Sequence, residues 1–199
     1  MIESLETRRL LASGLTSSQA GGVVSVSGGS DGHTVNIFER TDSPNGTVTV
    51  EDVNAGTSTT YSGVTKVDFQ GQSGTDTVFL SGRTVAYDAH GNGGDDFLVI
   101  SDMGTASSKL SGDGGDDDMT ILAANNTTII GDGGGDHLYV EASVGTGETW
   151  IYGLGGNDII TVEAGINHID GGGGKDTLID VSGGTAVNIL ISVESVQTP

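Results

Sequence analysis

The sequence predicts an all-β fold, a right-handed parallel β-roll or β-solenoid with two short strands per coil of about 20 residues. Two observations carry that prediction. First, Gly-x-x-Gly-x-Asp occurs six times, as GQSGTD (71–76), GNGGDD (91–96), GDGGDD (112–117), GDGGGD (131–136), GLGGND (153–158) and GGGGKD (171–176). The first glycines lie 20, 21, 19, 22 and 18 residues apart, a near-fixed period. Second, apolar residues recur at fixed steps from each aspartate. A unit of this size cannot bury an apolar face alone, so stacked units bury it against each other.

The elements follow in order. Residues 1–20 read as a leader or flexible N-terminal segment. Arg8 and Arg9 precede an apolar stretch shorter than the 7–15 residues of a signal-peptide core. The segment Leu5–Ala12 resembles a short LEPRRLLA-type element on exported bacterial proteins, departing from it at Thr7; it reads equally well as a short amphipathic helix. Residues 21–70 hold five alternating runs: VVSVS (23–27), TVNIF (34–38), TVTVE (47–51), TTY (59–61) and VTKVDF (64–69). Within them GGSDGHTVNI (28–37) resembles a decayed repeat, one residue short and without the aspartate. Residues 21–70 are therefore expected to form a β-rich N-terminal cap or degenerate coils, a separate small sandwich being the alternative.

From residue 71 onward each unit divides into two halves. Two residues after the loop aspartate come Val78, Leu98, Met119, Leu138, Ile160 and Leu178; four residues after it come Leu80, Ile100, Ile121, Val140, Val162 and Asp180. Residues two apart share a strand face, so these residues line one side of a first strand. After a second turn, Phe69, Ala89, Leu110, Ile129, Ile151 and Ile169 precede each loop by two residues and supply one inward position on a second strand. The run AVNILISVESV (186–196) is expected to be a terminal strand that covers the open edge of a 71–199 roll.

Composition narrows the function. Seven Lys and Arg against 27 Asp and Glu give a net charge of −20, which argues against nucleic acid and anionic membrane as partners. No run of 18 apolar residues exists, so no membrane-spanning helix is expected. There is no cysteine, and an exported chain without disulfides needs another staple, for which metal is the usual substitute. The basic residues Arg83, Lys109 and Lys175 fall at three different repeat phases, and no nucleophile–base set is visible, so no catalysis is expected.

The loops themselves suggest a cation. Glycines at loop positions 1 and 4 permit positive φ and close backbone packing. Loop carbonyls then point to one side, and the position-6 aspartate adds a carboxylate beside them. Stacked loops would enclose about six oxygen ligands, a donor set that suits Ca²⁺. The four histidines (33, 90, 137, 168) fall at different phases, which disfavours a soft-metal row. Among the other acids, Asp113, Asp132, Asp95 and Asp116 read as turn or field residues, and Asp118 as surface.

These motifs resemble the haemolysin-type (RTX) calcium-binding repeat, GGxGxDxUx, over residues 71–180. The resemblance implies Ca²⁺ between adjacent loops, carried by Asp76, Asp96, Asp117, Asp136, Asp158 and Asp176. It also implies carbonyl ligands from the loop glycines Gly71, Gly91, Gly93, Gly112, Gly114, Gly131, Gly133, Gly153, Gly155, Gly171 and Gly173. In that family the loops recur about every nine residues. Here they recur at half that density, so one row is expected on one edge, with up to about five ions between six loops. The expected whole is a secreted or surface structural and adhesive protein, a monomer that folds on binding calcium. Its partners would be calcium and an extracellular polysaccharide or cell-surface component. The alternatives are a carbohydrate-binding accessory module, with Trp150 and Tyr152 as outward aromatics, or a calcium-dependent polysaccharide-acting enzyme.

Overall fold

A computed structural model describes residues 9–10, 14–101, 104, 106–122, 126–141 and 147–198. The described residues form twenty strands and no helix, arranged as a parallel β-solenoid of about six turns with two strands per turn. The LEPRRLLA-like segment lies largely outside them, as do residues 102–103, 105, 123–125 and 142–146, which belong to the second turns of three coils.

One sheet runs β1 (Arg9–Leu10), β2 (Thr16–Ala20), β3 (Val23–Ser27), β7 (Lys66–Gln70), β9 (Ala86–Gly93), β11 (Lys109–Gly114), β13 (Thr127–Gly133), β15 (Glu148–Gly156), β17 (Ile166–Gly174) and β19 (Val187–Ile191). The other runs β6 (Thr57–Tyr61), β5 (Val48–Asp52), β4 (Thr34–Glu39), β8 (Thr77–Ser81), β10 (Phe97–Ser101), β12 (Asp118–Ile121), β14 (His137–Val140), β16 (Ile159–Val162), β18 (Thr177–Asp180) and β20 (Ser195–Gln197). From β3 and β4 onward all pairing is parallel and in register, so each repeat position forms a file along the solenoid. The inward columns expected on both strands are buried, from Val78 to Leu178 and from Phe69 to Ile169.

Two expectations need correction at the N-terminus. Residues 16–20, expected in a leader or flexible segment, are an ordered strand: β2 pairs antiparallel with β3, and Leu15 is fully buried. The 28–37 segment is not a residue short, because the step from Gly28 to His33 equals that from Gly71 to Asp76. Register places Thr34 opposite Thr77, so His33 stands where the aspartate belongs. The antiparallel strands β2, β5 and β6 close this end. The Glu39 carboxylate ties the cap to the next coil, accepting bonds from the backbone N–H groups of Gly46 (2.9 Å), Arg83 and Thr84 (2.8 Å each) and from the Thr84 hydroxyl. Burial raises its pKa, but these bonds outweigh that and hold it near 2.

The C-terminus also differs from expectation. The 186–196 run is two strands, β19 and β20, one on each sheet, and it does not cover the end. Both are exposed, with inward-facing Leu190 at 40 % and Val196 at 52 %. Apolar alternation marks a strand but does not say whether another coil lies beyond it.

A further inward file separates the two ends. Register aligns Val24, Val67, Tyr87, Ser108, Thr127, Thr149, Asn167 and Asn188. The file is apolar or aromatic in the first coils and polar after Tyr87. Thr127 and Asn167 are fully buried, and Thr127 Oγ1 and Asn167 Oδ1 lack hydrogen-bond partners.

Candidate metal row

The six loop aspartates form one buried column along an edge of the solenoid, each at most 2 % exposed. Each carboxylate uses its two oxygens differently. Oδ1 accepts the backbone N–H of the aspartate one coil earlier: Asp76 N to Asp96 (2.7 Å), Asp96 N to Asp117 (2.8 Å), and 2.9 Å for each of the next three steps to Asp136, Asp158 and Asp176. Oδ2 is buried and has no partner in all six.

The column has two further members that lack the pattern's aspartate. His33 N donates to Asp76 Oδ1 at 2.7 Å, while its own Nε2 accepts from Gly29 N at 2.9 Å. At the far end Asp176 N donates to Glu194 Oε2 at 2.7 Å. The pairing of Thr177 with Ser195 sets Glu194 opposite Asp176, and the loop before it is only Ser192–Glu194. The longer Glu side chain reaches where a full loop would have brought an aspartate. The spacing Gly28–His33 was a signal available in the sequence for the first; nothing comparable marks the second.

The loop backbone explains the glycines, partly against expectation. Position 4 does take positive φ, as in Gly115 (139°). Position 1 does not; there the constraint is space. A Cβ on Gly91 would collide with Asp96 Oδ2 and lie 2.8 Å from the carbonyl oxygen of Gly112. The same collision with the loop's own Oδ2 recurs at Gly71, Gly112, Gly131, Gly153 and Gly171, and the carbonyl of the following coil crowds the same point at Gly71, Gly131, Gly153 and Gly171. In the last case that carbonyl belongs to Ser192. Position 2 is left-handed as well, with Gln72, Asn92, Asp113, Asp132 and Leu154 all between 69° and 85°.

The predicted glycine ligands therefore divide into two groups. Carbonyl oxygens at position 1 (Gly91, Gly112, Gly153, Gly171) crowd the same points as the unpaired Oδ2 atoms of Asp76, Asp96, Asp136 and Asp158. Those at position 3 are committed to the ladder: Gly114, Gly133 and Gly155 accept from Gly94, Gly115 and Gly134 N at 2.9–3.0 Å. Gly93 and Gly173 lie in register with that second row.

Electrostatics follows burial. Loss of water pushes the carboxyls of Asp76, Asp96 and Asp117 up to about 6 and that of Asp136 up to about 7, against the opposing pull of the backbone N–H each accepts. Asp158 is raised for the same reason. A buried carboxylate oxygen without a partner is expensive, so each Oδ2 calls for a proton or a cation.

The remaining acids have local partners. Asp95 and Asp116 accept from Asp116 N (3.0 Å) and Gly135 N (2.7 Å), forming a second ladder on the outside of the loops. Asp113 meets His90 Nδ1 at 3.0 Å, and Asp132 accepts from the Ser111 hydroxyl at 2.8 Å. Among the described residues no three His, Cys, Asp or Glu side chains converge on one point, so a cation here would need main-chain oxygens to complete its shell. Arg83, Lys109 and Lys175 lie in a turn, on β11 and in a loop respectively, and are not brought together. Among the described residues no helix is long and apolar enough to cross a membrane. Searches against protein-family models, curated proteins and solved structures find no match for this chain.

Proposed function

We propose that this protein is a calcium-binding structural or adhesive β-solenoid, secreted or surface-displayed, with its ions in one row along the aspartate edge. The observation that carries the reading is the set of six buried, unpaired Oδ2 atoms, each beside a glycine whose missing side chain leaves room. A divalent cation supplies what these oxygens lack, charge neutralisation without protonation. Asp76, Asp96, Asp117, Asp136, Asp158 and Asp176 would hold it, with carbonyls of the position-1 glycines and Ser192. All these donors are hard oxygens from two backbone segments and a carboxylate, which suits Ca²⁺ better than the tighter octahedron of Mg²⁺. Because Ser192 and Glu194 close the last coil, six sites are expected, one more than the gaps between six loops.

The test is calcium stoichiometry by calorimetry and native mass spectrometry. Six ions per chain, lowered by one or two in Asp117→Asn, supports the reading. That variant keeps an oxygen to accept Asp96 N–H and loses only charge. No calcium uptake, or about ten ions, contradicts a single row.

A further inference from the structure

The outer face of the first-described sheet changes character along the solenoid. Over β7 to β11 it carries Lys66, Asp68, Asp88, His90 and Lys109, with Lys66 Nζ 2.8 Å from Asp88. Over β15 to β19 it turns aromatic and aliphatic. Register sets Trp150, His168 and Ile189 in one row and Tyr152, Asp170 and Ile191 in the next. These side chains enclose a cleft of about 230 Å³ above β17. One wall is Trp150 and Tyr152, the other Ile189 and Ile191, and His168 and Asp170 lie between them. Ile189 and Ile191 are 48 % and 60 % exposed, and Leu154, Ile166 and Val187 extend the apolar surface around the cleft.

Two features narrow the occupant. Trp150 stacks on His168, centroids 5.5 Å apart and planes 9° from parallel, so one face of the indole is already covered. The cleft is also smaller than the ~300–1,000 Å³ of small-molecule sites, a size for a single side chain. The polar groups then set the charge. His168 Nε2 is engaged by Glu148 at 2.9 Å. Asp170 accepts one bond, from Gly172 N at 3.2 Å, and has no ion-pair partner among the described residues.

We propose that this cleft receives a lysine or arginine side chain presented between aliphatic neighbours on a protein partner. The aliphatic stem lies against the isoleucines and aromatics, and the cationic head reaches Asp170. The −20 charge of the chain steers such a partner and repels a second copy. The site lies on the outer face of the sheet rather than in the aspartate row, but on coils whose folding is expected to need that row filled, and Asp170 directly precedes the loop glycine Gly171.

Trp150 is the only tryptophan in the chain, so its fluorescence reports on this cleft alone. The test uses the full chain in calcium, in salt of about 0.15 M to screen the general field. The probe is the blocked tripeptide acetyl-Val-Lys-Val-amide, with norleucine in place of lysine as the neutral control. A saturable change in emission with the lysine peptide is expected, weakened about tenfold in Asp170→Asn and absent with the control. An equal response to the control, or an unchanged one in Asp170→Asn, overturns the proposal. So does a response to cellobiose instead, a concentration-dependent dimer by sedimentation that buries Trp150, or no response at all.

Discussion

The two ends of this solenoid share a backbone and differ in what fills it. The first coils are closed by antiparallel strands and packed with Val24, Val26, Val35, Ile37, Val67, Phe69 and Tyr87, all buried. The later coils keep the same strand register but place Ser108, Thr127, Thr149 and Asn167 in the inward file, and they end on exposed Leu190 and Val196. The capped end draws its stability from apolar burial, as ordinary domains do. The later coils have less apolar core per coil and buried hydroxyls, while the column of carboxylates that resist burial runs through both regions, from Asp76 to Asp176. Given the proposed calcium row, this difference predicts that dependence on the ion is divided along the solenoid, with the cap folding on its own account and the later coils needing the row filled.

The largest expected effect is chelation. Removing calcium is expected to unfold the coils after about residue 104 while the cap persists, measured as a partial loss of β signal in circular dichroism rather than a complete one. Uniform loss from both ends would break the comparison.

The second is pH. The folded carboxyls of Asp76, Asp96, Asp117 and Asp136 lie above their ordinary value of 3.8, at about 6 to 7. A raised acid means that the folded state holds more protons than the unfolded one, so in chelator the stability from this column is present at low pH and is lost as pH rises through 6 to 7. With calcium present the sign reverses, because the ion competes with the proton. Thermal melts at about pH 5 and 7.5 should therefore rank oppositely with and without calcium.

The third is a reciprocal exchange in the inward file. Thr127→Val removes an unpaired buried hydroxyl and is expected to stabilise by about 1–2 kcal/mol, whereas Val67→Thr introduces one and is expected to cost about 1–3 kcal/mol. Urea titration of both variants in calcium measures the pair; equal effects would mean that the file is not different at the two ends. The smallest is local strain. Leu154 holds φ at 73° where the other loops carry Gln, Asn, Asp or Gly. Leu154→Asn is expected to gain about 1 kcal/mol by the same titration.

Much of this was legible in the sequence. The period, the inward columns from Val78 and Phe69, and the five strands of the N-terminal region all follow from alternation and spacing. The aspartate column was legible too, since one residue type recurs at one phase. What sequence could not show was the split role of each carboxylate, with Oδ1 spent on the backbone ladder and Oδ2 left over, because hydrogen-bond direction is a property of stacked coils. Nor could it show that position-1 glycines answer to crowding rather than to φ. His33 and Glu194 were missed because they hold an aspartate's place with different chemistry, one through an equal loop and the other through a shorter loop and a longer side chain. The terminal run misled because alternation is the same for a covering strand and for an open one.

Hydrogen exchange reads the calcium dependence of the aspartate column residue by residue. With calcium, the backbone amides of Asp96, Asp117, Asp136 and Asp158 should be strongly protected, since each donates to the next carboxylate. In chelator their protection should collapse while that of β3, β4 and β5 remains. Protection of the aspartate amides unchanged by calcium would contradict the account.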